Sequence, residues 1–322
     1  MRRSIRVSFA ALVVGLAAIA VPIAAAPSPA LANETGGLYL SPNNASDPDM
    51  EQCSFQGVNG YCMYTSQDLN QGGNYPMSNT LGFFSPDGYN WLPQGTVLSE
   101  QAYIDQGWVP ANAKHLWAPA AYQGGDGNWY LYVPDINDVN QQHSSSFIGV
   151  SRSTNGPFGP FTPIARITNP MTDPAHGNQA WNGGYASDPA VLSVPVRGGG
   201  TWMIFANGDT SSTNCGTLSI AALDNSMTSI SGSQLITING ANVLGTCGST
   251  GQPYEEGASL YYTSGWGPEV PGPFLLVFAA KPTSTPSGCK ANLGEPNSAN
   301  EVIAYATAGS VTGPYTYKGI LM

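Results

Sequence analysis

Short β-type runs alternate with turn-rich segments along most of this chain. Four of the runs start at a glycine, are rich in aromatic and branched side chains, and end at turn residues, as is typical of strands in an all-β protein. They cover residues 60–64, 127–132, 200–205 and 272–278. The first aromatic residues of successive runs lie 68, 73 and 72 residues apart. This spacing indicates a structural repeat of about 70 residues.

A second set of apolar runs follows the first with a similar spacing. These runs cover residues 81–85, 148–151, 218–221 and 302–306. A unit of several short strands that recurs at a fixed period predicts a β-propeller, because radial repetition leaves only short, protected sheet edges. A β-sandwich is the main alternative, but a sandwich needs no fixed repeat.

Polar or aromatic residues recur upstream of each aromatic run. The four segments are Asp47-Pro48, Trp117-Ala118-Pro119, Asp188-Pro189 and Glu256-Gly257, and their first residues are 70, 71 and 68 positions apart. The first strand of each propeller blade lines the central axis, so equivalent positions of different blades meet at one mouth. We therefore expect Asp47, Asp188 and Glu256 to share a pocket, with Trp117 beside them.

Each of these residues alone has an ordinary structural interpretation. An Asp-Pro pair is usually a turn or a helix cap, a single Glu can be a solvated loop acid, and a Trp can belong to the core. Their joint recurrence in register favours a functional role, since independent turns have no reason to share a period. Asp49 also lies near Asp47, but the Asp-Pro pattern points to Asp47.

The ordered set of these segments, with glycine-aromatic strands between them, resembles glycoside hydrolase family 43 over roughly residues 38–320. The resemblance implies a five-bladed β-propeller that hydrolyses arabinose- or xylose-containing plant polysaccharides with inversion. It further implies that Asp47 is the general base, Glu256 the general acid, and Asp188 the auxiliary carboxylate that orients and tunes the acid. Trp117 resembles the aromatic wall of the sugar site. Inverting hydrolysis needs such an acid and base, about 6.5–9.5 Å apart.

The number of repeats departs from the family pattern. Four units fill nearly all of the chain, and no fifth unit with its own aromatic strand follows. We therefore predict a five-bladed β-propeller whose last blade is missing or reduced, in a catalytic domain, residues 33–322, that is truncated at its C-terminus. A complete four-bladed propeller is the alternative. No cofactor is required, and an axial calcium or sodium ion, although compatible with the family, has no assignable ligands in this sequence.

The N-terminus predicts a signal peptide. Arg2, Arg3 and Arg6 precede an apolar run, and residues 30–32 supply the small-x-small pattern that signal peptidases accept. We expect the leader to be residues 1–32, with cleavage after Ala26 as a second option, and the protein to be secreted. A membrane anchor is the alternative, although an apolar run of about 17 residues is short for a spanning helix.

The charge balance narrows the choice of partners. The chain has 20 acidic and 10 basic residues, a net charge of −10, and loss of the arginine-containing leader makes the protein more negative still. An acidic surface repels phosphate backbones and anionic lipids, so nucleic acid and membrane surfaces are not expected partners.

Five cysteines and three histidines remain after the leader. In an oxidising compartment the cysteines favour disulfides, with Cys53–Cys62 and Cys215–Cys247 as reasonable pairs and one cysteine left over. The scattered histidines and the lack of a paired-cysteine motif give no sign of a zinc site.

The leading functional hypothesis is a secreted glycosidase that cleaves α-L-arabinofuranosyl linkages of arabinan or arabinoxylan. A β-xylosidase of the same family is the nearest alternative, and a glycan-binding propeller without catalysis is a second one. Glycine- and asparagine-rich loops at 66–80, 134–146 and 281–299 are expected to shape the rim of the pocket. They decide between exo and endo cleavage, which the sequence leaves open.

Overall fold

A computed structural model describes residues 45–68, 77–113, 115–136, 146–168, 186–195, 199–209, 215–242, 244, 255–264, 272–281 and 302–321. The predicted signal peptide lies outside these residues, and so do most of the three predicted rim loops. In the described part, strands dominate and the one α-helix is six residues long. No helix there is long and apolar enough to cross a membrane.

Blades 1 and 2 are four-stranded antiparallel sheets whose strands follow one another in chain order. Blade 1 contains β1 (Ala45–Phe55), β2 (Val58–Asp68), β3 (Met77–Ser85) and β4 (Leu92–Ser99). The short helix α1 (Glu100–Asp105) follows it. Blade 2 contains β5 (Ala120–Gln123), β6 (Trp129–Ile136), β7 (Ser146–Ser153) and β8 (Thr162–Thr168).

Blades 3 and 4 repeat this pattern with one added strand. Blade 3 contains β9 (Ala186–Ser193), β10 (Thr201–Asp209), β11 (Cys215–Leu223) and β12 (Ile230–Leu235). The two-residue strand β13 (Ile238–Asn239) pairs in parallel with the outermost strand of blade 4. Blade 4 contains β14 (Glu255–Tyr262), β15 (Phe274–Ala280), β16 (Val302–Ala308) and β17 (Tyr315–Ile320).

The blades are held together by apolar side chains between their faces. One buried cluster joins blades 1 and 2 and includes Tyr64 and Leu131, a second joins blades 2 and 3, and a third joins blades 3 and 4. The first strands β1, β5, β9 and β14 contact one another in succession. They are therefore the inner strands, and their starts lie at one end of the shared axis.

The structure confirms an all-β propeller and corrects the number of blades. The described residues form four blades and no fifth sheet, so the five-bladed prediction is wrong for this part of the chain. The reason is that each repeat of about 70 residues supplies one sheet, and the chain has four such repeats. The alternative of a four-bladed propeller fits these residues.

The predicted disulfide between Cys53 and Cys62 is confirmed, with a Cα–Cα distance of 5.8 Å. It closes the β1–β2 hairpin at the end that lies opposite to Asp47. The second suggested pair, Cys215 with Cys247, falls outside the described residues because Cys247 is not among them.

Candidate active site

The inner strands of blades 1 and 3 carry the same β-bulge near their starts. In β1, pairing with β2 stops after Ser46 and resumes at Asp49, so Asp47 and the proline after it oppose a single residue. In β9, Asp188 and its following proline interrupt the pairing in the same way. Asp47 and Asp188 both have left-handed backbone, with φ of 51° and 48°. Residues other than glycine rarely adopt this conformation, and bulges next to active sites commonly re-aim a side chain.

Blade 4 has the corresponding bulge, but its acid stands at a different position. Pairing of β14 stops after Glu256 and resumes at Ser259. The residue with left-handed backbone is Gly257, with φ of 56°. Gly257 therefore occupies the place of Asp47 and Asp188, and Glu256 precedes it. The alignment of Glu256 with the two aspartates in the sequence repeat was wrong by one residue.

Trp117 lies in the register of Glu256. Its backbone N–H donates to the carbonyl oxygen of Pro134 at 3.2 Å, and regular pairing of β5 begins at Ala120. Two residues lie between Trp117 and the start of regular pairing at Ala120. In blade 4, two residues likewise lie between Glu256 and the point where pairing resumes at Ser259. The Trp117 side chain is half-buried, and its ring meets that of His115 edge-on at 6.0 Å.

The predicted carboxyl groups of Glu256 and Asp47 both lie within electrostatic reach of the third, that of Asp188. Removal from water, then the charges of Glu256 and Asp47, raise the pKa of Asp188 to about 7. The backbone N–H of Gly257, which donates to Oδ2 of Asp188 at 3.2 Å, and the Ser187 side chain act in the opposite direction. Asp188 is half-buried, as is Glu256, whereas Asp47 is exposed. The structure therefore brings the three acids together at a mouth that solvent reaches.

Asp47 has a partner that the sequence repeat did not suggest. The buried Ser66 hydroxyl of β2 donates a hydrogen bond to Oδ2 of Asp47. Ser66 also lies 3.0 Å from the hydroxyl of Ser46, its cross-strand neighbour. The only sequence signal was the position of Ser66 in the aromatic strand opposite the Asp-Pro pair, which becomes informative once the register is known.

Asp49 has a structural role that distinguishes it from Asp47. Its Oδ2 accepts a hydrogen bond from the backbone N–H of Ala121 at 2.7 Å, which ties β1 to β5. Burial raises the pKa of Asp49 to about 7, and burial together with the charge of Asp49 raises the pKa of Glu51 to about 8. Asp49 is thus engaged in a bond between blades 1 and 2, whereas the choice of Asp47 as the functional acid stays a prediction.

The described residues do not offer an axial metal ion a set of protein ligands. Within them, no group of three or more His, Cys, Asp or Glu side chains could hold a metal ion. The described residues supply this site with carboxyl groups, which accept and donate protons, and Trp117 stands at the corresponding register position of blade 2.

Comparison with known proteins places the chain in a family. The model of glycosyl hydrolases family 43 matches residues 42–319. No curated protein is significantly similar in sequence.

Solved structures share the fold at low sequence identity. An enzyme of the same family from Xanthomonas citri, in complex with xylose, is 22% identical with a TM-score of 0.56, over 88% of this chain and 75% of that one. An exo-1,5-α-L-arabinanase from a bovine ruminal metagenomic library is 16% identical with a TM-score of 0.50, over 84% of this chain and 73% of that one. An exo-β-1,3-galactanase from Phanerochaete chrysosporium is 13% identical with a TM-score of 0.51, over 86% and 50%.

The match of the family model extends over most of the chain and includes all four bulged or aromatic positions at the mouth. The chain therefore belongs to glycoside hydrolase family 43, and it is a glycosidase that hydrolyses glycosidic bonds with inversion.

Proposed function

We propose that this glycosidase releases α-L-arabinofuranosyl units from plant polysaccharides such as arabinan and arabinoxylan. The observation that carries the proposal is the convergence of three acids from three blades, seen in the action of Glu256 and Asp47 on the carboxyl of Asp188. A glycan-binding module needs aromatic surfaces and hydroxyl partners, but it has no use for a poised set of acids.

The roles follow from exposure and hydrogen bonding. Asp47 is exposed and accepts the Ser66 hydroxyl, so it suits a general base that takes a proton from the attacking water. Glu256, in the protonated form, gives its proton to the glycosidic oxygen as the bond between that oxygen and the anomeric carbon breaks, while the water oxygen bonds to the anomeric carbon from the opposite face. Asp47 ends the step protonated and Glu256 ends it ionised, and proton exchange with solvent returns both to their starting states.

Asp188 interacts electrostatically with both of these groups. Its carboxyl is also fixed by the N–H of Gly257. Because Gly257 directly follows Glu256, the bond from its N–H holds the acid relative to Asp188, and this is the orienting role proposed for Asp188.

The proposed substrate class follows from the kinds of side chain that the inner strands carry near their starts. The half-buried ring of Trp117 offers an apolar face of the kind that packs on a sugar ring, and the acids can bind hydroxyl groups. A β-xylosyl substrate is the second candidate, favoured by the similarity to a family member crystallised with xylose and with xylotriose. Secretion is part of the proposal, supported by the predicted leader and the Cys53–Cys62 disulfide.

The test is hydrolysis by the purified protein. Aryl α-L-arabinofuranoside, β-D-xyloside and β-D-galactoside are compared first, followed by arabinan, arabinoxylan and xylo-oligosaccharides with the released sugars identified. We expect arabinose release, with the inverted anomer visible by NMR in the first minutes. Exclusive xylose release would select the second candidate, and no release from any of these substrates would contradict both.

Variants of the acids test the roles. Asp47→Asn and Glu256→Gln should each lower kcat/KM by about 10²–10⁴-fold while the protein stays folded, since each removes one proton-transfer group. Asp105→Asn is the matched control, because Asp105 lies on α1 and its carboxylate accepts the Gln101 amide at 2.7 Å. Wild-type activity in either active-site variant would reject the role given to that residue.

A further inference from the structure

We propose that Ser66 is a positioning residue for catalysis, acting through the carboxylate of Asp47. This inference rests on the proposed role of Asp47 as the general base. Ser66 itself is fully buried in β2 and is not placed to touch substrate. Its effect is on the direction in which the Asp47 carboxylate points.

The bulge in β1 creates the contact. Ser46 and Ser66 are a regular cross-strand pair, and Asp47 is the first residue of the bulge that follows. Its left-handed backbone, with φ of 51°, turns the chain so that Oδ2 reaches the Ser66 hydroxyl of the neighbouring strand. The contact therefore depends on an unusual backbone conformation and on the identity of one side chain across the ladder.

Two oxygen atoms are within reach of the Ser66 hydroxyl as hydrogen-bond acceptors, and the negative charge of the Asp47 carboxylate makes it the preferred one. The hydroxyl oxygen of Ser66 lies 3.3 Å from the carbonyl oxygen of Ser46, and it is closer to Oδ2 of Asp47. A hydroxyl has one proton, and an ionised carboxylate is the stronger acceptor. The Ser46 hydroxyl, 3.0 Å away, can then donate to Ser66, so the two serines form a short chain that ends on Asp47.

The other bulged inner strands show that the fold does not need this hydroxyl. In blade 3 the residue at the position of Ser66 is Ala206, which pairs with Ser187 before the Asp188 bulge. In blade 4 it is Ala279, which pairs with Glu256. Both bulges form with an alanine paired to the residue that precedes the bulge. Among the three, a hydroxyl stands at this place only beside the bulge of Asp47, which indicates a role specific to that carboxylate.

The hydrogen bond from Ser66 makes the two carboxylate oxygens of Asp47 inequivalent. Oδ2 is held by Ser66, which leaves Oδ1 to accept the proton from water. Fixing the rotation of a base in this way removes unproductive orientations before the reaction begins. The expected signature is a loss in kcat with little change in KM, because the interaction acts on the base and not on the bound sugar.

The experiment compares Ser66→Ala with wild type and two further variants. Ser66→Ala should fold, since alanine already stands at this place in two blades, and it should lower kcat about 10–100-fold with KM within about twofold. Ser66→Thr keeps the hydroxyl and should recover most of the rate. Thr80 pairs with Ser66 from the neighbouring strand β3, and its hydroxyl is also fully buried but makes no hydrogen bond to Asp47. Thr80→Val is therefore the matched control and should leave kcat unchanged.

A second comparison separates positioning from a general structural effect. In an Asp47→Ala background, Ser66→Ala should cause no further loss in the residual rate, because the group on which it acts is gone. An additive loss, an equal rise in KM, or wild-type kcat in Ser66→Ala would each overturn the inference.

One measurement does not depend on activity. Crystal structures of wild type and Ser66→Ala should show the Asp47 carboxylate in different rotations, and identical rotations would overturn the role of Ser66 even if the enzyme is active. If wild type hydrolyses no glycoside while the carboxylate rotates in the variant, the proposed function fails and the contact between Ser66 and Asp47 stands.

Discussion

The backbone N–H of Gly257 donates a hydrogen bond to Oδ2 of Asp188 at 3.2 Å, and this bond connects the inner strand of blade 4 to that of blade 3. Gly257 has φ of 56°, and a β-carbon added there would meet no other atom within 4 Å. The left-handed backbone therefore favours glycine at this place, although Asp47 and Asp188 adopt the same conformation at the equivalent positions, and space does not exclude a side chain. Because Glu256 precedes Gly257, the same bond fixes the acid relative to Asp188.

Asp188→Asn is the first prediction that follows from this bond. An amide oxygen can still accept the N–H of Gly257, so the variant should fold and keep the link between the blades. The carboxyl group that interacts with Glu256 and Asp47 becomes an uncharged amide that cannot exchange a proton, and we expect kcat/KM to fall by about 10²-fold in assays with aryl glycosides. An unchanged kcat/KM would show that Asp188 is only a structural acceptor.

The raised pKa values of the inner acids predict how stability depends on pH. Burial and, to a smaller extent, the charge of Asp49 together raise the pKa of Glu51 to about 8. The folded protein therefore binds more protons than the unfolded chain between about pH 4.5 and pH 8, and stability falls as pH rises through this range. Glu51→Gln should remove part of this fall, and denaturant unfolding at pH 5 and pH 8 measures it.

The expected size of that effect is modest because the Glu51 side chain is partly exposed. We expect Glu51→Gln to be about 1 kcal/mol more stable than wild type at pH 8 and equal to it at pH 5. The exposed Asp105→Asn variant is the control and should follow the wild-type curve. A Glu51→Gln protein that is less stable than wild type at pH 8 would contradict the sign.

Glu100 should control substrate affinity through Trp117. Glu100 is buried at the start of α1, and burial raises its pKa to about 7, while the Asp135 side chain and the backbone of His115 and Leu116 act against the rise. These backbone groups belong to the segment that ends in Trp117. The Leu116 N–H donates to the carbonyl oxygen of Met77 at 2.8 Å and neither Glu100 oxygen makes a hydrogen bond of regular geometry, so Glu100 acts on this segment electrostatically. Glu100→Ala should loosen the segment and raise KM about 5–10-fold with a smaller change in kcat.

The control for this prediction is a double-mutant cycle. Glu100→Gln keeps the shape and polarity of the side chain and should leave KM within about twofold of wild type. In a Trp117→Ala background, Glu100→Ala should have no further effect on KM, because residues that act as a unit are not additive. Additive changes in KM would show that Glu100 acts independently of Trp117.

The sequence period predicted the sheets better than it predicted the site. Aromatic runs at a fixed spacing identified β2, β6, β10 and β15 and the gathering of Asp47, Asp188 and Glu256, because propeller geometry brings equivalent positions together. The offset of Glu256 by one residue was not visible, because a β-bulge changes register without a unique sequence signal. Ser66 was missed for the same reason, since a serine in a strand becomes informative only when its partner across the ladder is known.

The Cys53–Cys62 disulfide should stabilise the protein without affecting catalysis. It joins residues 9 positions apart, and closing a loop of this size contributes about 2–3 kcal/mol by restricting the unfolded chain. Asp47 and Ser66 lie at the opposite end of the β1–β2 pair, so the site should keep its geometry without the bond. The double variant Cys53→Ala/Cys62→Ala should therefore unfold at lower denaturant concentration and show wild-type kcat and KM at 25 °C.

A reductant should lower the stability of the wild type much more than that of the double variant, and equal sensitivity would mean that another bond carries the effect. A large loss of kcat in the folded double variant would show that the far end of the hairpin also holds the Asp47 bulge in place.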